Sequence, residues 1–161
     1  MYEEENYEAQ LKKEGEMQNK RIIVVNHDDV YLQLVQDLLN DENYTNVSCL
    51  QTAGAYPVLL REQPDLVILD IPVVATQDSW TLLDLLRLDP RMRTTPLILC
   101  STDAKLLAEK RAFLQGRGCE TLEKPYLFDE LLTKIQRALG ERSFAPGYAL
   151  PAAAPQPAMG Q

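Results

Sequence analysis

The chain has 161 residues, of which 45% are hydrophobic, enough for one domain with a sizeable core and flanking segments. The formal net charge of −8 argues against a nucleic-acid partner, because binding to phosphates requires a basic surface. No apolar run is long enough to span a membrane, and the acidic N-terminus lacks the apolar segment of a secretory signal, so we expect a cytoplasmic protein without a membrane partner.

Composition divides the chain into three predicted parts. Residues 1–20 form a flexible acidic extension, residues 21–140 form the globular domain, and residues 141–161 form a disordered tail rich in proline and alanine. The three cysteines, at positions 49, 100 and 119, lie in or beside apolar stretches and predict reduced, buried thiols. The single histidine, His27, excludes a multi-histidine zinc site.

The first half of the domain predicts three strands and two helices. Residues 21–25 (RIIVV) indicate a strand that is buried on both faces. Apolar residues then recur at helical spacing from 31 to 39, and a weaker strand follows at 47–50. A short helix is expected at 54–63, with Pro57 in its first turn, before a fully apolar strand at 66–69 (LVIL).

The second half continues the same alternation. A helix at 80–88 ends before Asp89-Pro90, a strand follows at 96–100 (PLILC), and a helix at 104–115 is closed by two glycines. A brief strand at 121–122 precedes an amphipathic last helix at 128–139. Five strand–helix repeats predict an α/β fold: a doubly wound, five-stranded parallel sheet with helices on both faces.

Ligands of such sheets bind outside the carboxyl ends of the strands, so the residues that follow each strand are the candidates for a site. These residues are Asn26 to Asp29, Asp70, Ser101 with Thr102, and Lys124. An aspartate can accept a phosphoryl group as a nucleophile, while an ammonium group and a hydroxyl hold the phosphoryl oxygens. The pattern is therefore typical of a phosphoryl-accepting site.

Four sequence blocks, in order and at the expected spacing, resemble the response-regulator receiver domain of the CheY-like superfamily: RIIVVNHDDVYLQLVQDLL, PDLVILD, PLILCS and EKPYLFDELLTKI. The resemblance implies the flavodoxin-like strand order 2-1-3-4-5 and a cis Lys-Pro bond. It implies Asp70 as phosphoacceptor, with Ser101, Thr102 and Lys124 contacting the phosphate. A histidine kinase or phosphotransfer protein would supply the phosphoryl group.

The loop after the first strand departs from this family. Two acidic residues usually hold Mg²⁺ there, whereas this chain has Asn26 and His27, with Asp28 one step later. Mg²⁺ prefers oxygen ligands, so the implied metal site, formed by Asp70, Asp28, His27 and Pro72, is expected to be weakened. Asp28 would restore the site only if the loop shifted.

Three further departures lie around the implied site. Pro72 keeps its carbonyl but lacks the N–H that faces the phosphoryl oxygens in the family. Thr121 stands at the switch position, where the family usually has tyrosine or phenylalanine. The loop of residues 72–79 lacks the usual Pro-Gly turn and is about one residue longer.

Two functions from different classes remain open at this point. The first is a stand-alone receiver in two-component phosphorelay signalling, which accepts a phosphoryl group on Asp70, has no further enzymatic activity and acts on a downstream protein through the last helices and strands. The second is a degenerate receiver that binds a protein partner without phosphorylation. A flavodoxin-like enzyme or cofactor-binding protein is disfavoured, because no glycine-rich loop follows the first strand.

Overall fold

The computed structural model describes residues 4–7, 19–72 and 77–140. Residues 4–7 are helical. The other described residues form five strands: β1 (Arg21–Val25), β2 (Thr45–Cys49), β3 (Leu66–Asp70), β4 (Leu97–Ser101) and β5 (Cys119–Glu123). They also form five helices: α1 (Asp29–Asp41), α2 (Ala55–Glu62), α3 (Gln77–Leu88), α4 (Ala104–Gln115) and α5 (Phe128–Ala138).

All five strands run parallel, in the order β2-β1-β3-β4-β5. This topology confirms the predicted fold class and the flavodoxin-like strand order. The order reverses between β1 and β3, which are neighbours in space although β2 lies between them in the chain. The carboxyl ends of β1 and β3 therefore mark the switch point, where ligands of such sheets bind.

Two hydrophobic clusters cover the two faces of the sheet. Val25, Leu69 and Leu99 pack with buried residues of α2, α3 and α4. Val24, Ile68 and Ile98 pack with buried residues of α1 and α5. Because successive residues of a strand point to opposite faces, one apolar run serves both clusters, and this explains why the central strands show no polar alternation.

The predicted elements are found, and the differences lie at their ends. Strand β5 spans five residues instead of two, because its backbone pairs in register with β4 from Leu97–Cys119 to Ser101–Glu123. Strand β2 begins two residues earlier than predicted, and α3 begins at Gln77. Pro57 lies in the first turn of α2, as expected, and the three cysteines are free and buried.

Two predictions fall largely on residues outside the described part of the chain. The acidic extension is described only at residues 4–7 and 19–20, and the proline- and alanine-rich tail not at all. Residues 73–76, which belong to the loop predicted to be longer, are also outside it. The boundaries of the three parts therefore stay predictions. No helix in the described ranges combines the length and the apolar character needed to cross a membrane.

The Arg87 side chain cross-links two loops at the end of the domain that lies opposite the carboxyl ends of the strands. Its guanidinium donates to three backbone carbonyls, those of Met92 at 3.0 Å, Thr95 at 2.8 Å and Arg117 at 2.7 Å. The first two lie in the connection from α3 to β4, and the third lies in the turn before β5. One side chain of α3 thus joins both loops that lead into the last two strands.

A second polar network joins α2 to the residue that follows α3. Asp89 is 8% exposed and accepts hydrogen bonds from the Tyr56 hydroxyl, at 2.6 Å, and from the Arg91 guanidinium, at 2.8 Å and 3.0 Å. These bonds, those from Arg91 first, hold the pKa of the Asp89 carboxyl well below its usual range. The folded protein therefore favours the charged carboxylate.

We predict that Asp89→Asn lowers the melting temperature at neutral pH. Because the pKa of Asp89 is lower in the folded than in the unfolded chain, its stabilising contribution is present above the unfolded value of about 3.9 and is lost as the pH falls below it. The difference in melting temperature between wild type and variant should narrow below about pH 4. Asp84→Asn, an exposed change on α3, is the control and should show no such difference.

Candidate functional site

Asp70 ends the apolar strand β3 at the switch point. Its side chain is 7% exposed, and its backbone carbonyl accepts a hydrogen bond from the buried Ser79 hydroxyl, at 3.2 Å. Asp70 pairs in register with Cys100, so its side chain lies on the face that α1 and α5 cover. A carboxylate is thus almost enclosed at the carboxyl edge of the sheet.

Lys124 provides the counter-charge of this carboxylate. Its ammonium group contacts Asp70 Oδ1, and its backbone N–H donates to the Ser101 carbonyl at 2.8 Å, which fixes the start of the loop after β5. The Lys124–Pro125 peptide bond is cis, as the resemblance implied. Sequence reasoning placed Asp70 and Lys124 at the same edge, and in the folded chain the two side chains are in contact.

A pair of tyrosines borders the lysine, and sequence reasoning missed it. The Lys124 ammonium lies 4.8 Å from the centre of the Tyr31 ring, within the range of a cation–π interaction. The hydroxyls of Tyr31 and Tyr126 contact each other, and their rings meet edge to face with centres 6.5 Å apart. Burial raises the pKa of both tyrosines, so both hydroxyls stay neutral.

Ser101 and Thr102 occupy different environments at the end of β4. Ser101 is 1% exposed, and its hydroxyl oxygen accepts the backbone N–H of Asp103 at 3.0 Å. Asp103 in turn caps α4 by accepting the N–H of Leu106 at 3.0 Å. The turn after β4 therefore provides the N-cap of α4. Thr102 is exposed, and Thr121 is partly buried within β5.

The loop after β1 is organised by local hydrogen bonds. Asn26 is 3% exposed, and its side-chain oxygen accepts the N–H of Asp28 at 2.8 Å. The Asp28 carboxylate accepts the N–H groups of Val30 and Tyr31 and is therefore the N-cap of α1. His27 is 70% exposed, and its Nδ1 lies 3.9 Å from Asp70 Oδ2.

The resemblance implied a metal site formed by Asp70, Asp28, His27 and Pro72, and the structure shows where these residues lie. Asp28 is committed to the helix start, so the loop shift that would bring it to the site is not found. Pro72 follows Asp70 by two residues and is partly buried. In the described ranges, no three side chains of His, Cys, Asp or Glu come together as a group that could hold a metal ion.

Comparison with known proteins gives one consistent result. The chain is 32% identical over 127 residues to the transcriptional regulatory protein YxdJ of Bacillus subtilis. The aligned region covers 76% of the chain and 53% of YxdJ. It is 26% identical to a response regulator from Desulfuromonas acetoxidans, with a TM-score of 0.63 and with 75% of the chain and 97% of that structure covered. The fold is that of the CheY-like receiver domains, and the chain is similar in sequence to response regulators.

A third comparison concerns the metal. The receiver domain of a sensor histidine kinase from Pseudomonas aeruginosa, with magnesium coordinated in its active-site cleft, is similar with a TM-score of 0.64 and 21% identity, over 76% of the chain and 99% of that structure. No protein-family profile matches the sequence. The chain spans about half the length of the curated relative YxdJ.

We predict that the ring of Tyr31, and not its hydroxyl, holds Lys124 beside Asp70 in this receiver domain. In nuclear magnetic resonance spectra, the protons next to the Lys124 ammonium should be shifted upfield by the Tyr31 ring. Tyr31→Leu should remove this shift. Tyr31→Phe should keep it, while losing about 1 kcal/mol of stability with the hydroxyl contact.

Tyr126→Phe is the matched control for this prediction, because it removes the same hydroxyl contact from the other side. It should leave the upfield shift in place. Lys124 resonances that are the same in Tyr31→Leu and in wild type would contradict the prediction.

Proposed function

We propose that this receiver domain accepts a phosphoryl group on Asp70 from a histidine kinase or phosphotransfer protein and acts as a phosphorylation-controlled switch. The contact between the enclosed Asp70 carboxylate and the Lys124 ammonium is the observation that carries the proposal. A receiver that has lost phosphorylation has no need for a buried carboxylate paired with a lysine at this edge. The preserved pair favours the switch over an interaction domain that works without phosphorylation.

The chemistry follows from these two groups. An oxygen of Asp70 attacks the phosphorus of a phosphohistidine, the P–N bond breaks, and the imidazole leaves with its electron pair and takes up a proton. The product is an acyl phosphate on Asp70. Lys124 then shares its charge between the carboxyl group and the new phosphoryl oxygens, while the hydroxyl proton of Ser101 is free to turn towards them.

Magnesium, when bound, would neutralise charge between the donor phosphate and Asp70. We propose that its site here is weakened. Asp70 is the one carboxylate of the implied set that faces the site, since Asp28 caps α1 and His27 offers a nitrogen. Mg²⁺ binds nitrogen poorly and needs several oxygen ligands in near-octahedral geometry, so this set of donors fits the ion incompletely.

The proposed output surface is the groove formed by α4, β5 and α5. It encloses about 410 Å³ and carries charges of both signs, among them Arg111, Glu120 and Lys134. Thr121, at the family's switch position, lines this groove. A downstream protein with complementary charges would bind here and respond to the state of Asp70.

We predict that acetyl phosphate and Mg²⁺ add the mass of one phosphoryl group to the protein. Asp70→Asn should abolish the gain in intact-mass spectra, and Lys124→Ala should reduce it. Beryllofluoride, a mimic of the phosphoryl group, should change the fluorescence of Trp80, which lies on α3 just after the acceptor loop. A wild-type protein that gains no mass and ignores the mimic would favour the interaction domain.

We also predict that His27→Asp tightens Mg²⁺ binding by about tenfold, which corresponds to about 1.4 kcal/mol. A second carboxylate attracts the divalent ion by several kcal/mol before desolvation, so even a part of this attraction should be measurable. His27→Asp should also speed the phosphorylation of Asp70, and Asn26→Asp added to it should tighten Mg²⁺ binding further. Titration of Mg²⁺ against Trp80 fluorescence gives the affinities.

Asp28→Ala distinguishes a weakened Mg²⁺ site from a site in which Asp28 is a metal ligand. Because Asp28 caps α1, the change should cost about 1 kcal/mol of stability and leave Mg²⁺ affinity unchanged. If wild type already bound Mg²⁺ as tightly as the double variant and lost it in Asp28→Ala, then Asp28 would be the true ligand.

A further inference from the structure

Asn26 carries a polar group that the structure leaves without a partner. The residue is 3% exposed, its backbone N–H donates to the Cys49 carbonyl at 3.0 Å, and its side-chain oxygen accepts the Asp28 N–H at 2.8 Å. Its side-chain nitrogen, Nδ2, is buried and has no hydrogen-bond partner among the described residues. Buried polar groups are nearly always hydrogen-bonded, so this nitrogen requires an explanation.

The orientation of this amide is determined by the chain itself. If the side-chain oxygen and nitrogen of Asn26 exchanged places, Nδ2 would face the N–H of Asp28, and two donors would meet. The atom left over is therefore an N–H donor. A donor cannot bind a cation, but it can serve an anion or another acceptor.

Strand register places this donor beside Asp70. Val25 pairs with Leu69 in the parallel strands β1 and β3, so Asn26 stands opposite Asp70. Neighbouring strands are about 4.8 Å apart, and residues opposite each other in parallel strands lie on the same face of the sheet. Asn26 and Asp70 thus occupy neighbouring positions at the carboxyl edge of the sheet, on the face that α1 and α5 cover.

Two further nitrogen groups lie near the Asp70 carboxylate. Lys124 contacts Oδ1, and His27 Nδ1 lies 3.9 Å from Oδ2. Where receiver domains of the usual pattern surround the acceptor with carboxylates, this chain presents an amide N–H, an imidazole and an ammonium group. The amide and the ammonium group are hydrogen-bond donors, suited to the oxygens of a tetrahedral anion, and none of the three nitrogen groups is an oxygen ligand of the kind that Mg²⁺ prefers.

We propose that Asn26 Nδ2 donates a hydrogen bond directly to a phosphoryl oxygen on Asp70, so that the site binds the phosphoryl group or its mimic without a divalent cation. This inference rests on the proposed function of Asp70 and assigns the oxyanion ligand of the buried amide. Lys124 neutralises the charge from one side, and the Asn26 amide satisfies an oxygen from the other. The domain then responds to its donor independently of magnesium.

The amide resonances of Asn26 test this contact directly. The ¹⁵N-labelled 161-residue chain is titrated with beryllofluoride, once in buffer freed of magnesium by a chelating resin and once with magnesium. We expect the side-chain NH₂ signals of Asn26 to shift on binding in both buffers, with affinities that agree within about twofold. This measurement requires no substitution.

Asn26→Asp supplies the second arm, because the aspartate keeps an oxygen for the Asp28 N–H and replaces only the NH₂ group. Without magnesium, this variant should bind beryllofluoride at least tenfold more weakly than wild type, and magnesium should restore part of the loss. Asn46→Asp on β2 adds the same charge away from the site and is the control. Circular dichroism verifies that both variants are folded.

The outcomes separate this inference from the proposed function. Binding of beryllofluoride with unmoved Asn26 NH₂ signals, or binding that requires magnesium in wild type, overturns the inference and leaves Asp70 as the phosphoacceptor. No binding in either buffer, together with no gain in mass from acetyl phosphate, overturns both.

Discussion

A carboxylate enclosed at the end of an apolar strand is the constraint from which the rest of this site follows. Removing a charge from water costs several kcal/mol, and it is tolerated only beside a partner of opposite charge. Asp70 meets this requirement through Lys124, which the turn after β5 brings across from another strand. Tyr31 lies against the lysine, and Tyr126 lies against Tyr31. The Asp70–Lys124 pair is thus connected to α1 and to the loop before α5.

The three residues that follow β1, which are Asn26, His27 and Asp28, distinguish this chain from other receivers with the same fold. In a magnesium-binding receiver, the acids at this place gather around the ion. Here Asp28 caps the start of α1, and the side-chain oxygen of Asn26 accepts the backbone N–H of Asp28. Local hydrogen bonds thus occupy positions where the family usually has the acidic ligands of a metal ion.

Most of the fold could be read from the sequence, because the order of the elements depends on patterns that are local in the chain. The uninterrupted apolar runs of β1, β3 and β4 showed burial on both faces, and the resemblance then provided the strand order. The length of β5 could not be read, since its polar residues join the sheet through backbone pairing with β4. Pairing between strands is a property of the folded chain and leaves little trace in composition.

The site was predicted less completely, for a related reason. Asp70 and Lys124 could be placed together because each follows a strand. The contact of Tyr31 with Tyr126 joins residues 95 positions apart, and only its location in the first turn of α1, beside the site, could have suggested it. Asn26 Nδ2 is left without a partner because the backbone N–H of Asp28 binds the side-chain oxygen of Asn26. No pattern of residue types in the sequence indicates such a detail.

The three carbonyl bonds of Arg87 cross-link two loops that are separate in the chain. One guanidinium ties together the connections that lead into β4 and β5, far from Asp70. At the opposite end, Lys124 also joins two strands, through its ion pair with Asp70 and its backbone bond to the Ser101 carbonyl. Loss of the Arg87 side chain would therefore leave three carbonyls in two separate loops without their common donor, and the base of the last two strands would lose its cross-link.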